Sequence, residues 1–340
     1  MSKVVYLLGA GASFGTRENG IGSPILTGLP IVSEIGGELE SIASLLASMP
    51  LNDKELEECK QNLIKDFQDL KDQCAGITID SYARELWFQK DMRGFSRVEL
   101  LLTIIFIFEQ IIHKPDSRYK SFLLKVAQRD NVYDALELSP EIGILSWNYD
   151  NQIELAYRQF FGDNYSYIRE RLGVYDVKDY DQKQRSQKYC KIIKLNGTAN
   201  FTREEDWLKC SDNNTIDKIV LKMILEKYNT CSQLGRSCDG MVKLNFAWEK
   251  QWAEDMLTNK IPQLVHNAQT LIVIGYTFPD YNRDIDRIIL DNMPNLRNIY
   301  IQDPNAEYVK QSILLMASQR HLKIELLQNR LEQFLLPPEL

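Results

Sequence analysis

Short unbroken apolar runs alternate along this chain with longer stretches in which apolar residues recur every three or four positions. The first run, Val4–Leu8, is five apolar or aromatic residues that stop at Gly9-Ala10-Gly11-Ala12-Ser13. A run of this kind, bounded by glycines, predicts a buried strand. Residues 142–147, 191–195, 269–274, 298–302 and 322–327 predict five more.

Between the first two strands the period changes. Ile31, Ile35, Leu39, Ile42, Leu45 and Leu46 share one helical face over residues 31–49. Asn52 and Asp53 open a second helix that carries Leu56, Leu63, Ile64, Phe67 and Leu70 and stops at Gly76. Asp80 is the expected cap of a short third helix, with Tyr82, Leu86 and Trp87 inward, and Gly94 the expected break before a very apolar helix over 95–113. Pro115 ends that helix, and 119–128 predicts another, so residues 31–130 read as one helical insertion. Further on, Ile153, Tyr157 and Phe160 mark a helix after the second strand. Residues 175–189 read as a polar loop. A variable insertion over 203–240 contains a helix near 216–228, and amphipathic helices are expected over 248–265 and from Asp284.

Strands alternating with helices predict an α/β fold with a doubly wound, mainly parallel sheet in one domain spanning 1–340. Three strands end in small polar clusters and a fourth in the glycine turn. In such a sheet these four ends gather along one edge, where ligands bind.

Composition changes this picture little. Hydrophobic residues make up 44% and charged residues 26% of the 340, with a net charge of −7 and no long Lys/Arg block, so a nucleic-acid surface is not indicated. No secretory signal is evident, and the location expected is cytoplasmic. Residues 100–108 fall far short of the roughly 20 apolar residues of a membrane span. They suit either the core of a helical subdomain or a self-association face. The six cysteines (59, 74, 190, 210, 231, 238) form no C-x-x-C pair and lie away from His113, His266 and His321, so no zinc site is expected. None of the three histidines stands at the C-terminal end of a strand.

The glycine turn suits close approach of the backbone to a phosphate, although its spacing is not the full G-x-G-x-x-G; an ordinary strand-to-helix corner has the same look. Asn148 and Asp150, after the second strand, suit a ligand site, and either also suits a helix cap.

Taken in order, G-A-G-A-S at 9–13, G-L-P at 28–30, I-D-S-Y-A at 79–83, W-N-Y-D at 147–150, K-L-N-G-T at 194–198 and G-Y-T-F-P-D at 275–280 resemble the sirtuin-like NAD-hydrolysing effectors of bacterial antiphage defence. The resemblance implies a Rossmann-like NAD⁺ site, cleavage of the nicotinamide–ribose bond, and abortive infection by NAD⁺ depletion. It also implies a homo-oligomer, in some members with a partner motor ATPase or a phage-derived trigger. It places the pyrophosphate on Gly9, Ala10, Gly11, Ala12 and Ser13, and the adenosine side near Gly275, Tyr276, Thr277, Asp303 and Asn305. Asn148 would orient the ribose or a water, and Asp150 would steady the loop or the sugar. The paired zinc cysteines of sirtuin deacylases are missing, which favours the NADase branch.

The family's K-L-H-G-S becomes Lys194-Leu195-Asn196-Gly197-Thr198, with Asn196 at the place of the catalytic histidine. Asparagine takes no proton near neutral pH, and general-base help is worth roughly 10²–10⁴ in rate. Three readings stay open: another base serves, the chain binds NAD⁺ or ADP-ribose with little or no catalysis, or it is a hydrolase whose histidine has been exchanged for asparagine.

Overall fold

The computed structural model describes residues 2–130, 135–161, 165–176, 190–201, 207, 215–234, 241–249, 253–317, 321–338 and 340. The chain divides into two compact units. The first comprises 1–15, 115–198 and 245–340, and the second 16–114 and 199–244.

The first unit is built on a seven-stranded sheet. Its strands are β1 (Val4–Leu8), β2 (Ile142–Ser146), β3 (Val174–Asp176), β4 (Ile192–Lys194), β5 (Thr270–Ile274), β6 (Asn298–Gln302) and β7 (Lys323–Leu326). They lie in the order β7-β6-β5-β1-β2-β4-β3, and every neighbouring pair is parallel. The predicted α/β class is therefore the observed one, a Rossmann-like doubly wound sheet.

The unbroken apolar runs follow from cover on both faces. Val5, Leu7, Leu145, Ile193, Leu271, Val273 and Ile299 point to one face, with Met256, Ile261, Leu264, Ile285 and Ile289 packed on them. Val4, Tyr6, Leu8, Ile144, Ile192, Ile272 and Ile274 point to the other, under Tyr119, Phe122, Leu123, Ile153 and Tyr157.

The second unit is mainly helical, with helices Ile35–Ser48, Lys54–Gln73, Ile79–Phe88, Met92–Ile112 and Lys218–Leu234. Two details correct the sequence reading. Thr78, not Asp80, caps the third helix, its hydroxyl accepting from Ser81 N at 3.2 Å, and Asp80 is buried inside that helix. Gly94 lies within the first turn of the fourth helix, where Asp91 accepts its N–H at 3.0 Å, so the helix starts at Met92.

The apolar segment 100–108 is buried throughout, so it forms the core of this unit and offers no exposed association face. The helical block also has different limits from those expected. The unit opens at Thr16 with the small ribbon Thr16–Arg17 and Ile25–Thr27, whereas the helix Ser117–Val126 belongs to the first unit.

Four cysteines, Cys59, Cys74, Cys190 and Cys231, are free thiols, and burial raises Cys59 and Cys74 to about 11. Cys210, Cys238, residues 177–189 and, within 203–240, residues 203–206, 208–214 and 235–240 lie outside the described residues. No helix of the described residues is long and apolar enough to cross a membrane.

Candidate functional site

Strand register brings together four of the six motifs, those at 9–13, 147–150, 194–198 and 275–280, while 28–30 and 79–83 belong to the second unit. Leu8 pairs with Ser146 and with Ile274, Ser146 with Lys194, and Ile274 with Gln302, so five strands reach their C-terminal ends on one level. The backbone extends that level by one residue: Gly9 N donates to Ile274 O (3.0 Å), Trp147 N to Leu8 O (2.9 Å), Leu195 N to Ser146 O (2.8 Å) and Gly275 N to Gln302 O (3.1 Å). Asn148 and Asn196 each stand two residues past the paired row. The order of strands reverses between β1 and β5, and the glycines of both strands meet there.

Three glycines pack closely there. Gly11 N donates to Gly275 O at 3.0 Å. A Cβ on Gly9 would lie 2.5 Å from Gly275 O, and one on Gly11 would lie 2.7 Å from Gly275 Cα. Gly275 itself has φ +58, a region that side chains rarely adopt. The turn after β1 is a three-residue 3-10 turn, Ala10–Ala12, so β1 does not run directly into a long helix. What the loop presents is exposed Ala10, half-buried Gly11 and buried Ser13.

Ser13 is the centre of a buried hydrogen-bond cluster. Its Oγ donates to Asp150 Oδ2 at 2.6 Å and accepts from Asn148 Nδ2 at 3.0 Å. Tyr119 OH lies 2.9 Å from the same Oγ. A hydroxyl has one proton to give and two lone pairs, so with that proton on Asp150, Tyr119 is the donor. Burial holds the Tyr119 phenol well above its ordinary pKa, which keeps it protonated. Asp150 is raised by burial, against the pull of the Lys194 ammonium and the Ser13 hydroxyl. Its Oδ1 also accepts from Gln152 N at 3.0 Å, at the start of the helix Gln152–Phe161. Asp150 is thus both a helix-start residue and a partner of the glycine loop.

Several members of this cluster escaped the sequence reading. Arg118 Nη2 donates to Gly11 O (2.9 Å) and Ala12 O (3.2 Å), and Asp116 Oδ2 accepts from Gly15 N (2.8 Å). Together they clamp the loop from outside. Lys194, fully buried, donates to Asp150 O at 2.6 Å and pairs with Glu154 at 3.3 Å. The available signal was local: Asp116 opens the helix Ser117–Val126 right after Pro115, and Lys194 is an odd residue at the end of an apolar strand.

Asn196 is 7% exposed, and its Nδ2 donates to Trp147 O at 3.1 Å. Its Oδ1 is buried without a hydrogen-bond partner. On the opposite side of β1, Tyr276 is not a surface contact. Its ring stacks on Trp147 at 5.8 Å, and its OH donates to Asp286 Oδ2 at 2.8 Å while accepting from Asn282 at 3.0 Å. Trp147 Nε1 donates to Asp286 Oδ1 at 3.2 Å. Burial pushes Asp286 up to about 8. Tyr276 is buried. Thr277 is exposed, Asp303 is buried with its Oδ1 accepting from Asn305 N at 2.7 Å, and Asn305 is exposed.

A separate acidic group, Glu38 and Glu109 with His113, lies in the second unit. Burial and the neighbouring Glu109 raise Glu38 to about 7.

The geometry brings a close-packed glycine turn and buried amide and hydroxyl groups to the switch point of a parallel α/β sheet. No protein-family model matches the chain, and no curated protein matches it.

Proposed function

We propose that this chain is an NAD⁺ hydrolase that cleaves the nicotinamide–ribose bond to give nicotinamide and ADP-ribose. The observation that carries the reading is the register. The glycine loop, Asn148 and Asn196, spread over nearly 190 residues of sequence, lie on one level of one sheet edge, on the β1–β2–β4 side of the switch point. A dinucleotide straddling β1 would lay its pyrophosphate on residues 9–13, its adenosine towards the ends of β5 and β6, and its nicotinamide ribose towards the ends of β2 and β4.

The chemistry asks little proton transfer of the protein. Nicotinamide departs as a neutral molecule with the bonding pair, and an oxocarbenium-like ribose is left for water to attack at the same carbon. The water loses its proton to solvent. Asn148, anchored through Nδ2 to Ser13, keeps its amide oxygen for a ribose hydroxyl or that water. Asn196 accepts hydrogen bonds but takes no proton, so turnover should be slow unless activated.

The wider biology follows the family resemblance: a bacterial cytoplasmic effector that depletes NAD⁺ in abortive infection. It would assemble as a homo-oligomer and be released by a partner motor ATPase or a phage-derived trigger. A second reading, an NAD⁺- or ADP-ribose-responsive binding subunit with little catalysis, is favoured by Asn196 itself.

Chromatography of NAD⁺ incubated with this chain and with Asn196→His separates the two. The hydrolase reading expects nicotinamide and ADP-ribose in equal amounts, faster by roughly 10²–10⁴ with histidine. Tight NAD⁺ binding with no turnover in either protein favours the binding subunit. No binding at all rejects both.

A further inference from the structure

Two buried asparagine side chains on neighbouring segments each have an amide nitrogen that donates to a backbone carbonyl and an amide oxygen that meets no donor. Asn245 N donates to Asn196 O at 2.9 Å, so the two residues are joined through the backbone. Asn196 Nδ2 donates to Trp147 O at 3.1 Å, and Asn245 Nδ2 to Phe246 O at 3.0 Å. Because a carbonyl oxygen only accepts, these bonds fix which end of each amide is nitrogen. The two Oδ1 atoms are buried and lack any donor, at 7% and 1% residue exposure. Buried polar atoms are overwhelmingly paired, so two orphans on adjoining residues mark a place where a donor belongs.

The surroundings fix its location. Asn196 is tied to Trp147, the residue before Asn148. The Tyr149 ring meets Phe246 at 6.1 Å, and Phe246 stacks on Trp248 at 4.7 Å. Asn148, Asn196 and Asn245 therefore sit on three neighbouring segments on the β2–β4 side of the switch point.

We infer that Asn245 and Asn196 form a two-acceptor subsite for the vicinal hydroxyls of a sugar. A pair of neutral acceptors takes two hydroxyl protons and repels phosphate or carboxylate oxygens, which bring no proton. This rests on the NAD⁺ reading, in which the sugar is the ribose beside the scissile bond. It adds Asn245 as a residue that selects a free diol at that position.

The test is calorimetric titration of AMP, ADP-ribose and NAD⁺ into the full chain, Asn245→Leu and Asn245→Asp. AMP lacks the distal ribose and reports whether the rest of the site is intact. Asn245→Leu should weaken ADP-ribose and NAD⁺ roughly tenfold, the worth of one hydrogen bond, with AMP affinity unchanged. Asn245→Asp retains an acceptor and should recover most of the loss. If Asn245→Leu binds ADP-ribose as the unmodified chain does, the inference is overturned and the NAD⁺ reading survives. Equal weakening of AMP and ADP-ribose makes Asn245 structural and overturns the inference as well. Failure of the unmodified chain to bind ADP-ribose or NAD⁺ removes the underlying reading too.

Discussion

At the scale of single residues, the candidate site is a set of polar groups whose partners are chosen by burial. Ser13 illustrates this. Its one proton goes to Asp150 and its lone pairs serve Asn148 and Tyr119. Ser13→Ala strips all three at once, and each buried group left unpaired costs about 1–3 kcal/mol. The expected outcome is a loss of several kcal/mol, less than the simple sum because the three share one atom, together with loss of NAD⁺ binding; chemical denaturation and titration calorimetry check the two parts. Asp286 gives a pH signature. Its carboxyl is pushed up to about 8, far above its value in an unfolded chain, so the folded form holds a proton that the unfolded form has released. The stability this provides is fully present below about pH 4 and is lost as pH rises through about 8. Asp286→Asn keeps a group able to meet Trp147 and Tyr276 but does not titrate. Its stability relative to the unmodified protein should therefore climb between pH 5 and 9, as read by denaturant midpoints across that range. A flat difference would mean that Asp286 titrates normally.

At the scale of elements, glycines divide into two kinds that the sequence does not distinguish. Gly275 combines φ +58 with backbone of Gly11 and Ala12 against its Cα, so a methyl group has nowhere to go. Gly275→Ala should destabilise by about 3 kcal/mol or more, through strain and overpacking together. Gly37, exposed in the first turn of Ile35–Ser48 with open space around it, should gain about 0.5–1 kcal/mol as alanine. Thermal melts of the two variants should move in opposite directions.

The same contrast shows what was legible beforehand. Six strands were readable because a parallel sheet covered on both faces needs uninterrupted apolar runs. Val174–Asp176 was not, since its three residues sit beside a charged stretch and end in Asp176, which is paired with buried Arg169 at 3.5 Å. The antiparallel pair Ala127–Asp130 and Ala135–Leu138 is not visible in the sequence, because A-Q-R-D carries no alternation, and the helix expected over 119–128 runs into its first two residues. Of the site, Asn148, Asp150 and the glycines were visible at strand ends. Tyr119, Arg118, Lys194 and Asn245 were not, because what gives them a role is a partner far away in sequence. Trp147 and Tyr276 look like separate motif letters and turn out to be one stack, 129 residues apart.

At the scale of the whole molecule, the loops at the sheet edge are coupled before any ligand arrives. Each is hydrogen-bonded to the end of the neighbouring strand, and Arg118 and Asn148 add side-chain ties to the loop after β1. A ligand that touches the loops after β1, β2 and β4 therefore braces one connected edge in place of a single turn. Ligand present at 100 times its Kd should raise the stability of the unit that binds it by about 2.7 kcal/mol. Hydrogen exchange can say where that stabilisation appears. With NAD⁺, the amides of residues 9–15, 147–152 and 195–198 should slow together. The amides of the helix Lys54–Gln73, which belongs to the second compact unit, should keep their rates. Protection confined to residues 9–15 would describe a phosphate-binding turn and nothing more, and the dinucleotide reading would fail at the β2–β4 side. Protection at all three segments, lost selectively at 195–198 when ADP-ribose is replaced by AMP, would place the distal ribose beside Asn196.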